Sequence, residues 1–143
     1  MGVEDSQRKK ILRMVDANFN RAKEALRVVE DLCRFFLEEP SLTAKFKQCR
    51  HGLTRALLKF PIPYKALAAS RNSRDDVGKN HGIQDRRRRP DWKDVMLANL
   101  KRSEEALRVL EEASKLVAPG RSRSFEKLRF KIYELEKESL RKF

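Results

Sequence analysis

The chain repeats one helical motif, and this repeat constrains the fold more than any other feature of the sequence. Residues 17–30 (A-N-F-N-R-A-K-E-A-L-R-V-V-E) are identical to residues 98–111 at nine of fourteen positions, with an offset of 81. Both segments lack Gly and Pro and place apolar residues at helical spacing. A weaker match, at an offset of 79, aligns Phe46, Arg50 and Leu53 with Phe125, Arg129 and Ile132. The repeat predicts an all-α, pseudo-two-fold four-helix bundle made of two helical hairpins.

Prolines, glycines and capping residues set the predicted helix bounds. The first hairpin covers about 7–58: one helix to about residue 38, then Pro40, then a second helix from about residue 42 with Ser41 as its N-cap. Residues 60–90 are predicted to be largely loop, with a helical turn or two at 64–70. The second hairpin covers about 91–140, beginning at Asp91 as a cap and interrupted by Pro119 and Gly120. Residues predicted to face the core from the first helix are Ile11, Met14, Val15, Ala22, Ala25, Val29, Leu32 and Phe36.

The length and the apolar content favour a single soluble unit. A chain of 143 residues suits one helical domain, residues 1–143, with one core, and each half is too short to be stable alone. No apolar run approaches the roughly 20 residues that cross a bilayer, and the first residues lack a secretory signal. We therefore expect a cytoplasmic protein without membrane contact. Cys33 and Cys49 lie within helical patterns, so we expect two buried thiols rather than a disulfide or metal site.

The net charge of +13 predicts an anionic partner: a nucleotide, a phosphorylated metabolite or nucleic acid. The run Arg86–Arg89 is typical of a solvated loop, and a nucleic-acid arm is the alternative. Nucleic acid is the less favoured partner, because aromatic interleaving and groove-reading motifs are absent from the sequence. His51 and His81 lie outside zinc-site spacings, and the sequence has no P-loop or G-x-G-x-x-G. Phosphoryl transfer would therefore need a different scaffold.

Polar residues interrupt the apolar stripes at equivalent places in both halves. Asn18 and Asn99 fall within the stripe of the long helices, and Arg50 and Arg129 lie near the inner face of the second helices. Burying an unpartnered amide costs about 1–3 kcal/mol, and a guanidinium costs more. Two explanations remain open. Each Asn bonds to a neighbouring helix while each Arg extends to solvent along the surface or pairs with a carboxylate, or a bound ligand satisfies these groups.

Charged residues flank the stripes in two further sets. Arg21 and Arg102, with Glu24 and Glu105 beside them, form either an interface ladder or the wall of a site. A second set is predicted on the opposite, polar side, as a candidate homodimer surface, and comprises Arg27, Glu30, Arg108 and Glu111. The loop R-N-S-R-D-D-V-G (residues 71–78) combines cations, carboxylates and a glycine, a mixture that suits phosphate and Mg²⁺. Ordinary turn chemistry is the alternative for this loop.

The two long motifs, the K-Q-C-R-H segment (residues 47–51) and the R-x-x-x-D-D-V-G loop together resemble a known helical family. This family is found fused to the N-terminus of thiamin phosphate synthase and also alone, and the similarity extends from about residue 14 to residue 136. The resemblance implies a phosphomethylpyrimidine kinase that phosphorylates hydroxymethylpyrimidine phosphate from ATP. Its product is the diphosphate that the synthase consumes, and the synthase itself is an implied partner.

From this resemblance and from the placement of the residues we expect phosphoryl transfer with Mg²⁺ and ATP. Arg50, Arg129 and Asp76 are the candidate catalytic residues. Substrate and phosphate would bind to Asn18, Arg21, Asn99, Arg102, Arg71 and Gly78. Asp75, Asp76, Glu24 and Glu105 are the candidate Mg²⁺ ligands. A non-catalytic helical module that docks on thiamin phosphate synthase, and a basic nucleic-acid binder, are the alternatives.

Overall fold

The computed structural model describes residues 4–79 and 88–143, and within these ranges the chain forms five α-helices and no strand. The helices are α1 (Asp5–Phe35), α2 (Pro40–Leu58), α3 (Tyr64–Ala69), α4 (Trp92–Val117) and α5 (Ser122–Leu140). A 3-10 turn at Pro119–Arg121 precedes α5. The predicted all-α bundle is confirmed.

The two hairpins meet along their long helices. α1 packs most extensively on α4, α2 and α5 pack on their own hairpin partners, and α2 also contacts α5. These contacts form a ring of four helices around one core, in which Phe46, Leu53, Phe125 and Ile132 are fully buried. Burial of each such side chain stabilises the fold by about 1.5–3 kcal/mol. The repeat therefore places large apolar side chains at equivalent core positions in both halves.

The start of α2 differs from the prediction. Glu39 precedes the helix and Pro40 occupies its first turn, so the prediction of Ser41 as the N-cap is wrong. Proline is suited to this position because the N–H it lacks would have no partner within the helix. Asp91 does precede α4 as predicted, although its side chain makes no capping hydrogen bond.

Two predicted core residues of the first helix are exposed. Phe36 is 64% exposed because α1 ends at Phe35, and its ring stacks on Trp92 with centroids 6.0 Å apart. Met14 is 49% exposed and borders a cavity next to the loop after α3. The buried Phe19 and Leu26 were missing from the prediction. Exposure here depends on where the neighbouring helices and loops lie, which the period of α1 does not reveal.

Both cysteines are free and buried, as predicted. Burial raises the pKa of Cys33 to about 12 and that of Cys49 to about 11, so both thiols stay protonated at neutral pH. Within the described ranges, every helix is too short or too polar to cross a membrane.

Candidate functional site

A groove runs between α1 and α4, with a cavity volume of about 490 Å³. Five residues from each helix line it, and each pair is related by the repeat offset of 81. The pairs are Asn18 and Asn99, Arg21 and Arg102, Glu24 and Glu105, Ala25 and Ala106, and Val28 and Val109. The two copies of the motif therefore build one shared site with internal two-fold pseudo-symmetry.

Helical spacing explains why these side chains share a face. Positions 18, 21, 25 and 28 are three or four residues apart, so they form a stripe along α1, and the corresponding positions do so on α4. The adjacent stripe, with Ala22, Leu26 and Val29, is buried in the core. Ala25 and Ala106 are small, so space remains above them between the helices. The result is an apolar floor with a polar and charged rim.

The paired asparagines are buried and satisfied in the same way. Asn18 is 5% exposed and donates from Nδ2 to the Met14 carbonyl oxygen at 2.9 Å. Asn99 is 9% exposed and donates to the Val95 carbonyl oxygen at 2.8 Å. Each bond lies within the asparagine's own helix, α1 or α4, so the predicted bond to a neighbouring helix is wrong. Each amide donor is anchored by its own helix, and the Asn18 Oδ1 accepts a hydrogen bond from Arg21 at 3.4 Å.

Arg50 and Arg129 pair with buried carboxylates outside the groove. The Nε of Arg50 lies 2.7 Å from Glu30 Oε2, and Nη2 of Arg129 lies 3.0 Å from Glu111 Oε2. Glu30 and Glu111 are only 6% and 5% exposed, so their predicted position on the polar side is wrong. α1 and α4 each contact two other long helices, and a single apolar stripe identifies only one of those contacts. Of the explanations that the sequence left open for these two arginines, pairing with a carboxylate is the one that applies to both.

A second cavity, of about 600 Å³, opens beside the groove and is called the loop cavity here. Asn18 and Arg21 line both cavities. The other residues of the loop cavity are Lys10, Arg13, Met14, Asp16, Ala17, Asn20, Arg71, Asn72, Ser73 and Asp76. The structure therefore brings Arg71 and Asp76 of the predicted phosphate loop next to the α1 half of the groove.

Arg71 anchors that loop to α1. Its guanidinium donates to both oxygens of Asp16, at 2.6 and 2.9 Å, and to the Tyr64 hydroxyl at 3.0 Å. Asp16 is 4% exposed, and its hydrogen bonds raise the pKa of Arg71. Sequence reasoning missed Asp16 because it lies about 160° around the helix from Asn18, away from the predicted apolar stripe, and because its partner is 55 residues away. The repeat gave no signal for it, because the residue two positions before Asn99 is Leu97.

The predicted metal ligands are divided between two places. Glu24 and Glu105 line the groove, whereas Asp76 lines the loop cavity and accepts a hydrogen bond from the Gly78 N–H at 2.8 Å. Asp75 and Gly78 line neither cavity. In residues 4–79 and 88–143, no group of three or more His, Cys, Asp or Glu side chains is arranged to hold a metal ion.

A buried carboxylate pair joins α4 to α5, and the sequence analysis did not identify it. Glu104 and Glu136 are 4% and 8% exposed, and Lys101 Nζ lies 3.2 Å from Glu104 and 2.9 Å from Glu136. Among the residues that the structure describes, the Oε1 of Glu104 has no hydrogen-bond partner. Burial, reinforced by the hydrogen bond with Glu136, raises the pKa of Glu104 to about 7. The repeat counterpart of Glu104 is Lys23, so only the second half carries this pair.

The basic run Arg86–Arg89 and one of the two histidines considered as zinc ligands lie partly or wholly outside the described residues. Arg86 and Arg87 of the basic run lie there, as does His81. His51 is exposed on α2.

Comparison with known proteins gives relatives along most of the chain. A thiamine-phosphate synthase of Synechocystis sp. is 42% identical over 126 residues, which are 88% of this chain and 35% of that protein. Thiamine-phosphate synthases of Nostoc punctiforme and Thermosynechococcus vestitus are 38% and 37% identical, over 88% and 92% of this chain. The chain thus spans about a third of the length of these curated relatives. No solved structure matches the chain significantly.

The match to a family model covers the groove, the loop cavity except Lys10, all of α2 and α4, and most of α1 and α5. It extends over residues 13–138 and includes both copies of the repeated motif. With this match and with relatives above 35% identity over most of its length, the chain belongs to the ThiD2 family.

Proposed function

We propose that this chain acts in thiamin biosynthesis by transferring the γ-phosphoryl group of Mg-ATP to hydroxymethylpyrimidine phosphate. The observation that carries the proposal is the groove, where Asn18 and Arg21 recur as Asn99 and Arg102 above an apolar floor. The family resemblance, and the relatives named thiamine-phosphate synthase, support the choice of substrate.

The groove offers what both parts of this acceptor need. Ala25, Val28, Ala106 and Val109 provide an apolar floor for the pyrimidine ring. Arg21 and Arg102 at the rim would bind phosphate oxygens, since arginine forms bidentate, charge-assisted hydrogen bonds with phosphate. The Oδ1 atoms of the asparagines would accept hydrogen bonds from the ring amino group.

In the proposed reaction, an oxygen of the acceptor monophosphate attacks the γ-phosphorus of ATP. A new P–O bond forms, the bond from the γ-phosphorus to the β,γ-bridging oxygen breaks, and its electron pair leaves with ADP. The second pKa of a phosphate monoester is about 6, so the acceptor is already a dianion at neutral pH and no general base is needed. The protein contributes positioning and charge neutralisation, the main demands of phosphoryl transfer.

Mg²⁺ would enter with ATP. Magnesium keeps several waters and uses one or two carboxylates together with phosphate oxygens, so a preformed cluster of protein ligands is not required. Asp16 also lines the loop cavity but is paired with Arg71, so Asp76 in the loop cavity and Glu24 and Glu105 in the groove are the carboxylates that would take this role. Arg50 and Arg129 are assigned to helix packing, because each is paired with a buried glutamate.

The first prediction is a direct test of this activity. Purified chain with Mg-ATP and hydroxymethylpyrimidine phosphate should form the diphosphate. Phosphorus NMR or anion-exchange chromatography measures its formation. Arg21→Ala and Arg102→Ala should each lower kcat/KM by about 10²-fold or more, because each removes a charged donor from the phosphates. Arg27→Ala is the matched control on α1, since its side chain lies outside the groove and is 57% exposed.

Absence of diphosphate with the intact chain would refute the proposal. A second candidate would then gain support: a non-catalytic helical module of thiamine-phosphate synthase, favoured by the fact that the chain matches about a third of proteins with that name. That candidate predicts association with the synthase without ATP turnover.

A further inference from the structure

The two halves of the groove carry the same polar residues but different flanks. Eight, five and two residues before Asn18, α1 carries Lys10, Arg13 and Asp16. At the equivalent positions before Asn99, the second half carries Asp91, Asp94 and Leu97. At these three positions the α1 flank therefore has two cations and one carboxylate, whereas the second half has two carboxylates and no cation. Lys93, the counterpart of Leu12, is the cation that lies between them.

The structure increases this difference. Asp16 is buried and neutralised by two hydrogen bonds from Arg71, so its charge does not oppose an anion in the loop cavity. Leu97 has no carboxylate, so the α4 half cannot anchor a loop in the same way. Lys10 and Arg13, together with Arg21, line the loop cavity. Clustered cations in a concave site attract polyanions, and their effect is screened by salt.

The loop cavity is also large enough to hold a polyphosphate chain. Its volume is about 600 Å³, and its wall at Lys10, Arg13, Arg71 and Asn72 is shared with a further cavity of about 400 Å³. At its other end it shares Asn18 and Arg21 with the groove. A continuous path thus leads from the basic flank to the paired Asn and Arg residues.

We propose that the loop cavity binds the polyphosphate chain of the nucleotide and that the groove binds the phosphorylated pyrimidine. The two phosphate groups then meet at the wall formed by Asn18 and Arg21. This inference rests on the proposed function, and it turns a duplicated, nearly symmetric site into one with a defined donor side and a defined acceptor side. Asp16 and Arg71 are positioning residues, since they hold the loop that carries Asp76 at the donor side.

The second prediction concerns binding of inorganic tripolyphosphate with Mg²⁺, measured by calorimetry on the full chain. Arg13→Ala should weaken this binding about tenfold or more, and Lys10→Ala should weaken it in the same direction. Binding of hydroxymethylpyrimidine phosphate should change by less than about twofold, because neither side chain lines the groove. Asp94→Asn is the matched control in the second half and should leave tripolyphosphate binding unchanged.

Arg71→Ala tests the anchoring of the loop. It should weaken tripolyphosphate binding while circular dichroism at 25 °C still shows a folded helical bundle; the melting temperature should fall, because buried Asp16 loses the cation that neutralises it. If Arg13→Ala has no effect on tripolyphosphate, or if Asp94→Asn changes its affinity as much as Arg13→Ala does, the assignment of the donor side is overturned.

Binding of tripolyphosphate does not depend on turnover, so the two proposals fail separately. An inactive chain with Arg13-dependent tripolyphosphate binding overturns the kinase reaction and leaves the phosphate site in place. If the chain is an active kinase but Arg13→Ala leaves tripolyphosphate binding unchanged, only the donor-side assignment is overturned.

Discussion

At the scale of single residues, Glu30 and Glu111 show how a buried charge is tolerated in this bundle. Each carboxylate lies in the interface between the helices of one hairpin, where Arg50 or Arg129 neutralises it. Taking the two charges out of water is costly, so such a pair adds little net stability, but removal of one partner leaves an uncompensated buried charge. The pairs are therefore best seen as determinants of how the two helices of each hairpin align.

The third prediction follows from this pairing. Arg50→Ala should lower the free energy of unfolding by about 3 kcal/mol, at the low end of the range for a broken buried pair because Arg27 still lies 3.7 Å from Glu30. The exposed pair between Lys45 and Glu138 is the control, and Lys45→Ala should cost less than about 1 kcal/mol. Urea unfolding measures both, and equal losses would contradict the argument.

At the scale of elements, the interface between α4 and α5 contains a carboxyl group that prefers to be neutral. Glu104 has its pKa raised by burial to about 7, whereas its neighbour Glu136, bonded to Glu104 and Lys101, has its pKa lowered despite burial. The two carboxyls therefore share a proton near neutral pH. Because the folded chain holds the Glu104 proton more tightly than the unfolded chain, this group contributes stability at low pH, which is lost as pH rises from about 4.5 to about 7.

The fourth prediction tests this pH dependence of stability with a variant of Glu104. Glu104→Gln mimics the protonated form, so from about pH 5 to about pH 8 it should gain stability relative to the unaltered chain, by on the order of 2 kcal/mol. Glu134→Gln on the exposed side of α5 is the control and should leave the pH dependence unchanged. Thermal unfolding across this range measures the difference, and a parallel pH profile for Glu104→Gln would show that Glu104 is not protonated in the folded state.

At the scale of the whole molecule, the most extensive helix–helix interface joins the two halves rather than the two helices within one half. α1 packs more extensively on α4 than on its own hairpin partner α2. Val29, Leu100 and Leu107 of these two helices are fully buried. Separating the halves would expose these side chains and would also divide the groove in two.

The fifth prediction concerns the isolated hairpins. Residues 4–59 alone, and residues 88–143 alone, should show weak helicity by circular dichroism and no cooperative melting, because each loses the opposing long helix and its apolar burial. An isolated half that unfolds cooperatively would show that the duplication joined two independently stable units.

The sequence by itself determined the helical class, the duplication and the polar residues that line the groove, but not the alanines and valines of its floor. Asn18, Arg21 and Glu24 were identified with their counterparts because a repeated polar residue within an apolar stripe is visible in the pattern of one helix. The bounds of α4 and α5 also follow closely from local breakers such as Pro119 and Gly120.

Only the tertiary structure decided which charges meet. Arg50 with Glu30 and Arg71 with Asp16 are joined across 20 and 55 residues of sequence. A helical period reports which side chains share a face, but it does not report which helix or loop covers that face. The division of the site into a groove and a loop cavity was therefore decided by the packing of α1 against α4 and by the anchoring of the loop on α1.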